Sequence, residues 1–184
     1  MRELFTIDKK NYDKNGTVGK RTSVRGIIIK DGAIAMMHSI KYDYYKLPGG
    51  GIEAGETYED TLIREVREES GLVVKPSSIK EFGYVRRIEK GKIEDIFVQD
   101  NYYYLCEVEE RRVEQSLDDY EEEERFVLEF VSPEYAIEVN ENGNHKEKEE
   151  IQKYKGMLER ENRVLQVIRE EILSQGVDFL CEPL

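Results

Sequence analysis

Apolar side chains crowd into two short β-rich runs at residues 22–29 (TSVRGIII) and 33–38 (AIAMMH). Between them Lys30-Asp31-Gly32 carries the Asp-Gly pair of a tight hairpin. A third run, Tyr44–Leu47, leads into Pro48–Gly55, a loop containing Gly49, Gly50, Gly51 and Gly55. From Thr57 the apolar period lengthens to that of a helix. Thr57 is placed to cap it, Asp60 stands three residues on as in a capping box, and Gly71 is placed to end it. Strands are predicted over 79–89 and 95–108, joined by a turn at Lys90-Gly91-Lys92. The second contains Phe97 and the consecutive Tyr102, Tyr103 and Tyr104.

Residues 109–124 read as a charged loop and Arg125–Val131 as another strand. Ser132-Pro133-Glu134 opens a helix that should stop by Asn140–Gly143. The last element, roughly 146–174, carries Ile151, Tyr154, Leu158, Leu165, Ile168 and Ile172 on one helical face. Glu161 interrupts that stripe and Gly156 weakens the helix, which favours docking on the core over a dimer-forming coiled seam. Residues 1–20 are polar, punctuated by Asn11, Asn15, Gly16 and Gly19, and read as an arm or a short edge strand. No internal repeat and no clear linker divides the chain.

Length and charge narrow the class. At 184 residues the chain sits at the upper end of one ordinary domain. Twelve Tyr, six Phe and repeated Ile, Val and Leu clusters supply a core, so wholesale disorder is excluded. The formal charge of −12 counts against a protein that coats DNA or RNA, which needs a basic face. An anionic ligand must therefore be attracted by something other than net charge. The two cysteines, Cys106 and Cys181, are too few and too far apart for a disulfide framework. Cys106 reads as a small strand residue and Cys181 as part of a loose tail. The N-terminus lacks the apolar h-region of a secretory signal, and no apolar run approaches the roughly 18 residues of a membrane helix. The expected setting is soluble, reducing and cytoplasmic.

Candidate chemistry concentrates on the first long helix. Glu65, Glu68 and Glu69 stand at i, i+3 and i+4 and share one face, beside the apolar stripe of Leu62, Ile63 and Val66. Like charges so placed oppose the helix and are costlier still when partly desolvated. A bound cation removes that cost, and oxygen-only ligands select a hard ion such as Mg²⁺ or Mn²⁺. With only His38 and His145 in the chain, a His-rich zinc site and a Ser-His-Asp triad are both poor readings. A merely solvated acidic face is the competing explanation in so Glu-rich a chain. The wider spacing argues against it. Five residues separate Gly50 from Glu56 and seven separate Glu56 from Arg64. Glu65, apolar Val66, Glu68, Glu69, Gly71 and apolar Leu72 then follow. Chance alone yields that arrangement about once in 10⁵–10⁶.

The segment Gly50–Leu72 resembles the Nudix box of the Nudix hydrolases at every defining position, and the preceding Leu47-Pro48-Gly49-Gly50 is similar to that family as well. The resemblance implies an α/β class fold, a Nudix-type α/β/α sandwich around a mixed β-sheet, here with an additional long C-terminal helix. The resemblance covers a Nudix domain over 21–140; an N-terminal arm or edge strand over 1–20 and a helical extension over 141–184, expected to pack on the domain, lie outside it. It further implies hydrolysis of a phosphoanhydride in a nucleoside diphosphate linked to another group, with Mg²⁺ (Mn²⁺ possible) as cofactor. Glu65, Glu68 and Glu69 are then metal ligands, joined by the Gly49 carbonyl. Arg64 and Glu56 orient those carboxylates.

The glycine loop at Gly50 and Gly51 would let phosphates approach the backbone before a helix. The general base is expected on the box or in the acidic run before Arg125, where Glu121 and Glu122 are candidates. Arg25 is a candidate cation for a phosphate and Tyr45 a candidate platform for a base. The expected partner is a small nucleoside diphosphate derivative rather than a nucleic acid polymer or a membrane, with a homodimer possible. The alternative reading is a non-catalytic, Nudix-like nucleotide-binding regulatory module. Retention of every metal carboxylate favours the enzyme. No downstream mark names the substrate: Pro76 and Tyr84 both lie nearer the box than the marks of the ADP-ribose and dinucleoside-polyphosphate subgroups.

Overall fold

Aromatic and β-branched residues dominate 80–105, and in the computed structural model this stretch folds back on itself. The structure describes residues 1–142 and 154–173. Strands β7 (Lys80–Lys90) and β8 (Ile96–Leu105) run antiparallel, with Tyr84 opposite Tyr102 and Arg86 opposite Asp100. β2 (Val18–Ile27) lies parallel to β8 along its whole length, and β1 (Glu3–Asp8) lies parallel to β7. The result is a mixed four-stranded sheet in the order β1-β7-β8-β2. Residues 1–20, expected to be an arm or an edge strand, thus contribute an edge strand at 3–8.

Two units make up the chain, Met1–Ile28 with Leu47–Leu117 and Ile29–Lys46 with Asp118–Leu184. In the first, the loop after Leu47 adds itself to the open edge of β2. Val24 N–H donates to the Gly50 carbonyl (2.9 Å), Gly26 N–H to that of Pro48 (2.9 Å) and Ile52 N–H to that of Thr22 (3.3 Å). Helix α1 (Tyr58–Ser70) follows, with the predicted capping box. Asp60 N–H donates to Thr57 Oγ1 (3.1 Å) and Thr57 N–H to Asp60 Oδ2 (3.0 Å). Leu62 and Val66 press onto β2 so closely that a Cβ on Gly26 would lie 2.9 Å from Val66 Cγ2. Gly71 ends the helix at φ 70°, as predicted, and its N–H donates to the Arg67 carbonyl. Leu72–Val74 forms a strand not expected from the sequence, β6, which pairs antiparallel with β9 (Val108–Arg112). Leu72, Val73 and Val74 carried that signal in a run too short to register.

The second unit holds β3 (Ile29–Lys30), β4 (Ala33–Ser39), β5 (Tyr44–Lys46) and β10 (Phe126–Val131), with β10, β3 and β5 all antiparallel to β4. Asp31 and Gly32 form the expected turn, both at positive φ. The hairpin is nevertheless much shorter than 22–29 against 33–38. Residues 23–28 are buried without interruption, the signature of a parallel strand, and 23–27 pair with β8. The charged run expected to be a loop over 109–124 instead supplies β9 and α2 (Asp119–Glu124). Asp118 and Glu121 are spaced as a capping pair there, and Asp118 N–H donates to Glu121 Oε2 (3.2 Å).

Helix α3 (Pro133–Asn142) begins where expected, and residues 143–153, where its stop was expected to fall at the latest, lie outside the described residues. Helix α4 (Lys155–Ile168) runs into a π-helical turn at Arg169–Leu173. Leu158, Leu165, Ile168 and Ile172 are buried as predicted, while Ile151, His145 and Cys181 lie outside the described residues. Glu161 does not break the stripe with a solvated charge: it is fully buried, and Arg160 Nη2 donates to it at 2.6 Å. Cys106 is buried just past the end of β8, and burial pushes its thiol up to about 12. Among the described residues no helix is long and apolar enough to cross a membrane.

Gly71 carries the sharpest local constraint, because a Cβ there would stand 2.4 Å from the Val113 carbonyl oxygen, in a left-handed backbone conformation. Gly71→Ala should therefore destabilise the protein by about 1–3 kcal/mol, read as a fall of several degrees in the midpoint of thermal unfolding.

Candidate functional site

The centre of the site is Arg64, on the first half of α1. Its guanidinium forks onto Glu56, Nε to Oε1 at 2.6 Å and Nη2 to Oε2 at 2.9 Å. Nη1 donates to Glu65 Oε1 (2.7 Å) and Glu68 Oε2 (3.2 Å), and Nη2 also donates to the Gly51 carbonyl (3.2 Å). Five donors thus meet five acceptors, the full capacity of the side chain. Glu56 is fixed from the other side by Thr61 Oγ1 (2.8 Å) and by Glu53 N–H (3.0 Å). Its hydrogen bonds to Arg64 are the main reason that its carboxyl is held down to about 2. The same bonds raise the Arg64 pKa, so the guanidinium stays charged.

Glu69 is almost fully buried, yet one oxygen accepts the Gly49 N–H at 2.9 Å. Glu65 lies against the glycine loop so closely that a Cβ on Gly50 would stand 2.4 Å from its Oε2. The helix end that carries Glu68 and Glu69 is secured from a distant segment. Ser116 N–H donates to the Glu68 carbonyl (2.9 Å), and Gln115 Nε2 donates to the Glu69 carbonyl. These two residues, with Thr61 and Glu53, are contributors that sequence reading did not find. Thr61 and Glu53 lie within a few positions of Glu56, but nothing in the sequence ties 115–116 to the helix.

Arg25, on β2, is buried and donates to the carbonyls of Leu47 (3.2 Å) and Gly49. One strand and one helix therefore bring together Arg25, Gly49, Gly50, Gly51, Glu56, Arg64, Glu65, Glu68 and Glu69. Tyr45, Glu121 and Glu122 belong to the second unit. Tyr45 is buried, its ring stacked on His38 at 4.3 Å and its hydroxyl donating to Glu129 (2.7 Å); burial chiefly raises its pKa. Glu121 is buried against Lys46 Nζ (2.9 Å) and the Tyr120 hydroxyl (2.7 Å), whereas Glu122 is exposed. His38 has Glu129 at 3.0 Å on one ring nitrogen and Asp43 at 3.1 Å on the other.

Among the described residues no three acidic, His or Cys side chains converge as a shell around one point. Arg64 accounts for this, drawing Glu65 and Glu68 onto its own nitrogens while Glu69 turns to Gly49. The donor set is nevertheless all oxygen, with four carboxylates against two guanidinium groups beside a backbone that approaches without side chains. That chemistry fits a hard divalent cation.

Residues 19–154 match the family model for the NUDIX domain. The chain belongs to the NUDIX domain family. Within that family it is similar to an ADP-ribose pyrophosphatase of Methanocaldococcus jannaschii, at 40% identity over 60 residues, covering 31% of this chain and 36% of the relative. It is also similar to the nucleoside triphosphatase NudI of an Enterobacter species, at 35% identity over 89 residues, covering 43% of this chain and 63% of the relative. The NUDIX chain thus spans just over a third and under two thirds of these two relatives. Among solved structures it is similar to a MutT protein of Bacillus halodurans, with 20% identity, 65% of this chain, 72% of that one and a TM-score of 0.43. A NUDIX hydrolase of Nitrosomonas europaea shares 18% identity, 55% of this chain, 67% of that one and a TM-score of 0.43.

The Glu56 fork has a consequence for acid stability. Its carboxyl sits at about 2 in the folded protein against an ordinary 4.5, so its contribution is complete above 4.5 and is lost as pH falls towards 2. Glu56→Gln should lower stability at neutral pH and flatten the loss between those two values, measured by denaturant unfolding across pH 2–6.

Proposed function

We propose that this chain is a hydrolase that cleaves a phosphoanhydride bond in a nucleoside diphosphate linked to another group, using water and a divalent cation, Mg²⁺ or else Mn²⁺. The observation that carries the reading is the arginine-centred carboxylate cluster beside the glycine loop. Four carboxylates stand against the two arginines of the site, Arg64 and Arg25, so acidic groups are in excess in a half-buried place. A fold has no use for that excess, whereas a cation and a polyanion together discharge it. The family membership and the relatives' names, an ADP-ribose pyrophosphatase and a nucleoside triphosphatase, support a nucleotide substrate.

In this reading Glu65, Glu68, Glu69 and the Gly49 carbonyl hold the cation, which when bound offsets charge on the phosphoryl oxygens and lowers the pKa of water. Arg64 and Glu56 keep the carboxylates aimed. Gly50 and Gly51 admit the phosphates to the backbone, and Arg25 supplies a cation from β2. The general base is assigned to a glutamate of the box or to Glu121 or Glu122; within its own unit Glu121 bonds Lys46 and Tyr120, and Glu122 is exposed. Tyr45 would have to leave His38 to receive a base, which weighs against it. A cytoplasmic setting, a small-molecule partner, a possible homodimer, a catalytic domain over 21–140 and a helical extension over 141–184 belong to the same proposal.

Phosphate or pyrophosphate release, measured with Mg²⁺ across nucleoside triphosphates, nucleotide sugars and dinucleotides, tests it. Turnover of at least one class is expected. Glu56→Gln should cost about 10–100-fold, as loss of a residue supporting metal ligands does, and Glu68→Gln and Glu69→Gln at least as much. No turnover on any substrate, with ligand binding unchanged in Glu68→Gln and Glu69→Gln, would leave a binding module instead.

A further inference from the structure

The backbone of the glycine loop spends its carbonyls in alternation. Those of Pro48 and Gly50 accept from β2, at Gly26 N–H and Val24 N–H, both at 2.9 Å. Those of Leu47 and Gly49 accept instead from a single nitrogen, Arg25 Nη1, the first at 3.2 Å. Gly49 has little freedom to turn out of this arrangement. Its φ is 135°, and a Cβ there would stand 2.2 Å from the Val24 carbonyl oxygen. Its N–H meanwhile donates to Glu69 Oε2 (2.9 Å), so one glycine carries a guanidinium on its carbonyl and a carboxylate on its N–H.

Arg25 is held quite differently from Arg64. It is 9% exposed, yet among the described residues it pairs with no carboxylate, and its buried Nε has no hydrogen-bond partner. Arg64 spends every donor, four of them on carboxylates, whereas Arg25 spends one nitrogen on two neutral carbonyls. Burying a guanidinium for so little return is costly, so little is lost when that nitrogen moves. Because both bonds come from Nη1, the side chain can leave Gly49 while keeping Leu47.

We propose that Arg25 competes with the divalent cation for the Gly49 carbonyl, which makes the arginine a built-in brake on metal binding. The inference rests on reading Gly49, Glu65, Glu68 and Glu69 as the ligands. A carbonyl oxygen has two lone pairs, but a guanidinium on one and a divalent ion on the other are like charges on a single atom. Gly49 is buried, so solvent and salt do little to screen them. Arg25 must therefore give up the carbonyl for an ion to be held there, and the affinity of the site follows where the guanidinium rests. A carboxylate cluster alone would hold the ion tightly at all times; the arginine sets that hold lower.

Free Mn²⁺ counted by electron paramagnetic resonance, with no nucleotide present, reads cation affinity without turnover. Arg25→Gln should tighten Mn²⁺ binding about tenfold or more, the worth of one charge-assisted hydrogen bond. Arg25→Lys, which keeps the charge, should stay near the wild-type affinity. Arg21→Gln removes an equal charge from the same strand, at an exposed side chain that bonds no loop carbonyl among the described residues, and should change little. Unchanged or weaker binding in Arg25→Gln, or equal tightening in Arg21→Gln, overturns the proposal. A second measurement uses the wild-type protein and so does not depend on a variant folding. The through-hydrogen-bond coupling between Arg25 Nη1 and the Gly49 carbonyl carbon should be present in EDTA and vanish at saturating Mg²⁺. Its persistence overturns the proposal. Glu68→Gln separates this failure from failure of the metal reading. Mn²⁺ binding that is lost in Glu68→Gln but indifferent to Arg25 leaves the ligand set standing and overturns the brake alone. No wild-type binding, or none that Glu68→Gln weakens, overturns both.

Discussion

Arg64 is the interaction on which the rest of this site depends. Four glutamates brought to one end of a helix and the loop before it would repel one another, and the repulsion grows as water is removed. A guanidinium that spends every donor on Glu56, Glu65, Glu68 and the Gly51 carbonyl turns that repulsion into a fixed geometry. Lysine could not do this, because three donors on a flexible stem cannot fork onto one carboxylate while bridging two others. Removing Arg64 would release Glu65 and Glu68 from the nitrogens that hold them and leave Glu56 to Thr61 and the Glu53 N–H alone.

The surrounding fold exists in a form that makes this fork possible. The capping box at Thr57 and Asp60 starts α1 at a defined residue, so the rotation of Arg64 and Glu65 about the helix axis is set. Leu62 and Val66 lock that rotation against β2 at Gly26. The loop from Pro48 to Ile52 is not slack: it pairs with β2 as a short added strand, which holds the Gly51 carbonyl where Arg64 reaches it. Backbone pairing places the loop and side-chain packing places the helix. The carboxylates fall between them.

Much of this was legible in the sequence because it is local. The cap, the stop at Gly71 and the spacing from Gly50 to Leu72 all lie within one short segment, where periodicity and residue type speak directly. Strands were legible as apolar runs, but their partners were not. The Ile-rich run after Arg25 looks the same whether it turns into a hairpin or lies parallel to a distant strand, and the structure uses Ile27 with β8 and Ile29 with β4. Charge misled in the opposite direction. Glu121 and Glu124 lay in a run expected to be a charged loop and Glu161 was expected to interrupt an apolar stripe, yet each is buried against Lys46, tyrosine hydroxyls or Arg160. A sequence shows that a residue is charged; it does not show which distant partner makes burial affordable.

The hold on the far end of α1 has a further meaning. The last carbonyls of a helix have no partner within it and ordinarily turn to water, so a terminal turn opens and closes readily. Here the carbonyls of Glu68 and Glu69 are claimed by Ser116 and Gln115, residues beyond β9 that take no part in the carboxylate cluster. The two acidic side chains consequently ride on a turn that is tethered at both its beginning and its end. Their positional spread is set by a segment some 46 residues away in the chain. Sequence drift in that segment would loosen the cluster without touching any member of it.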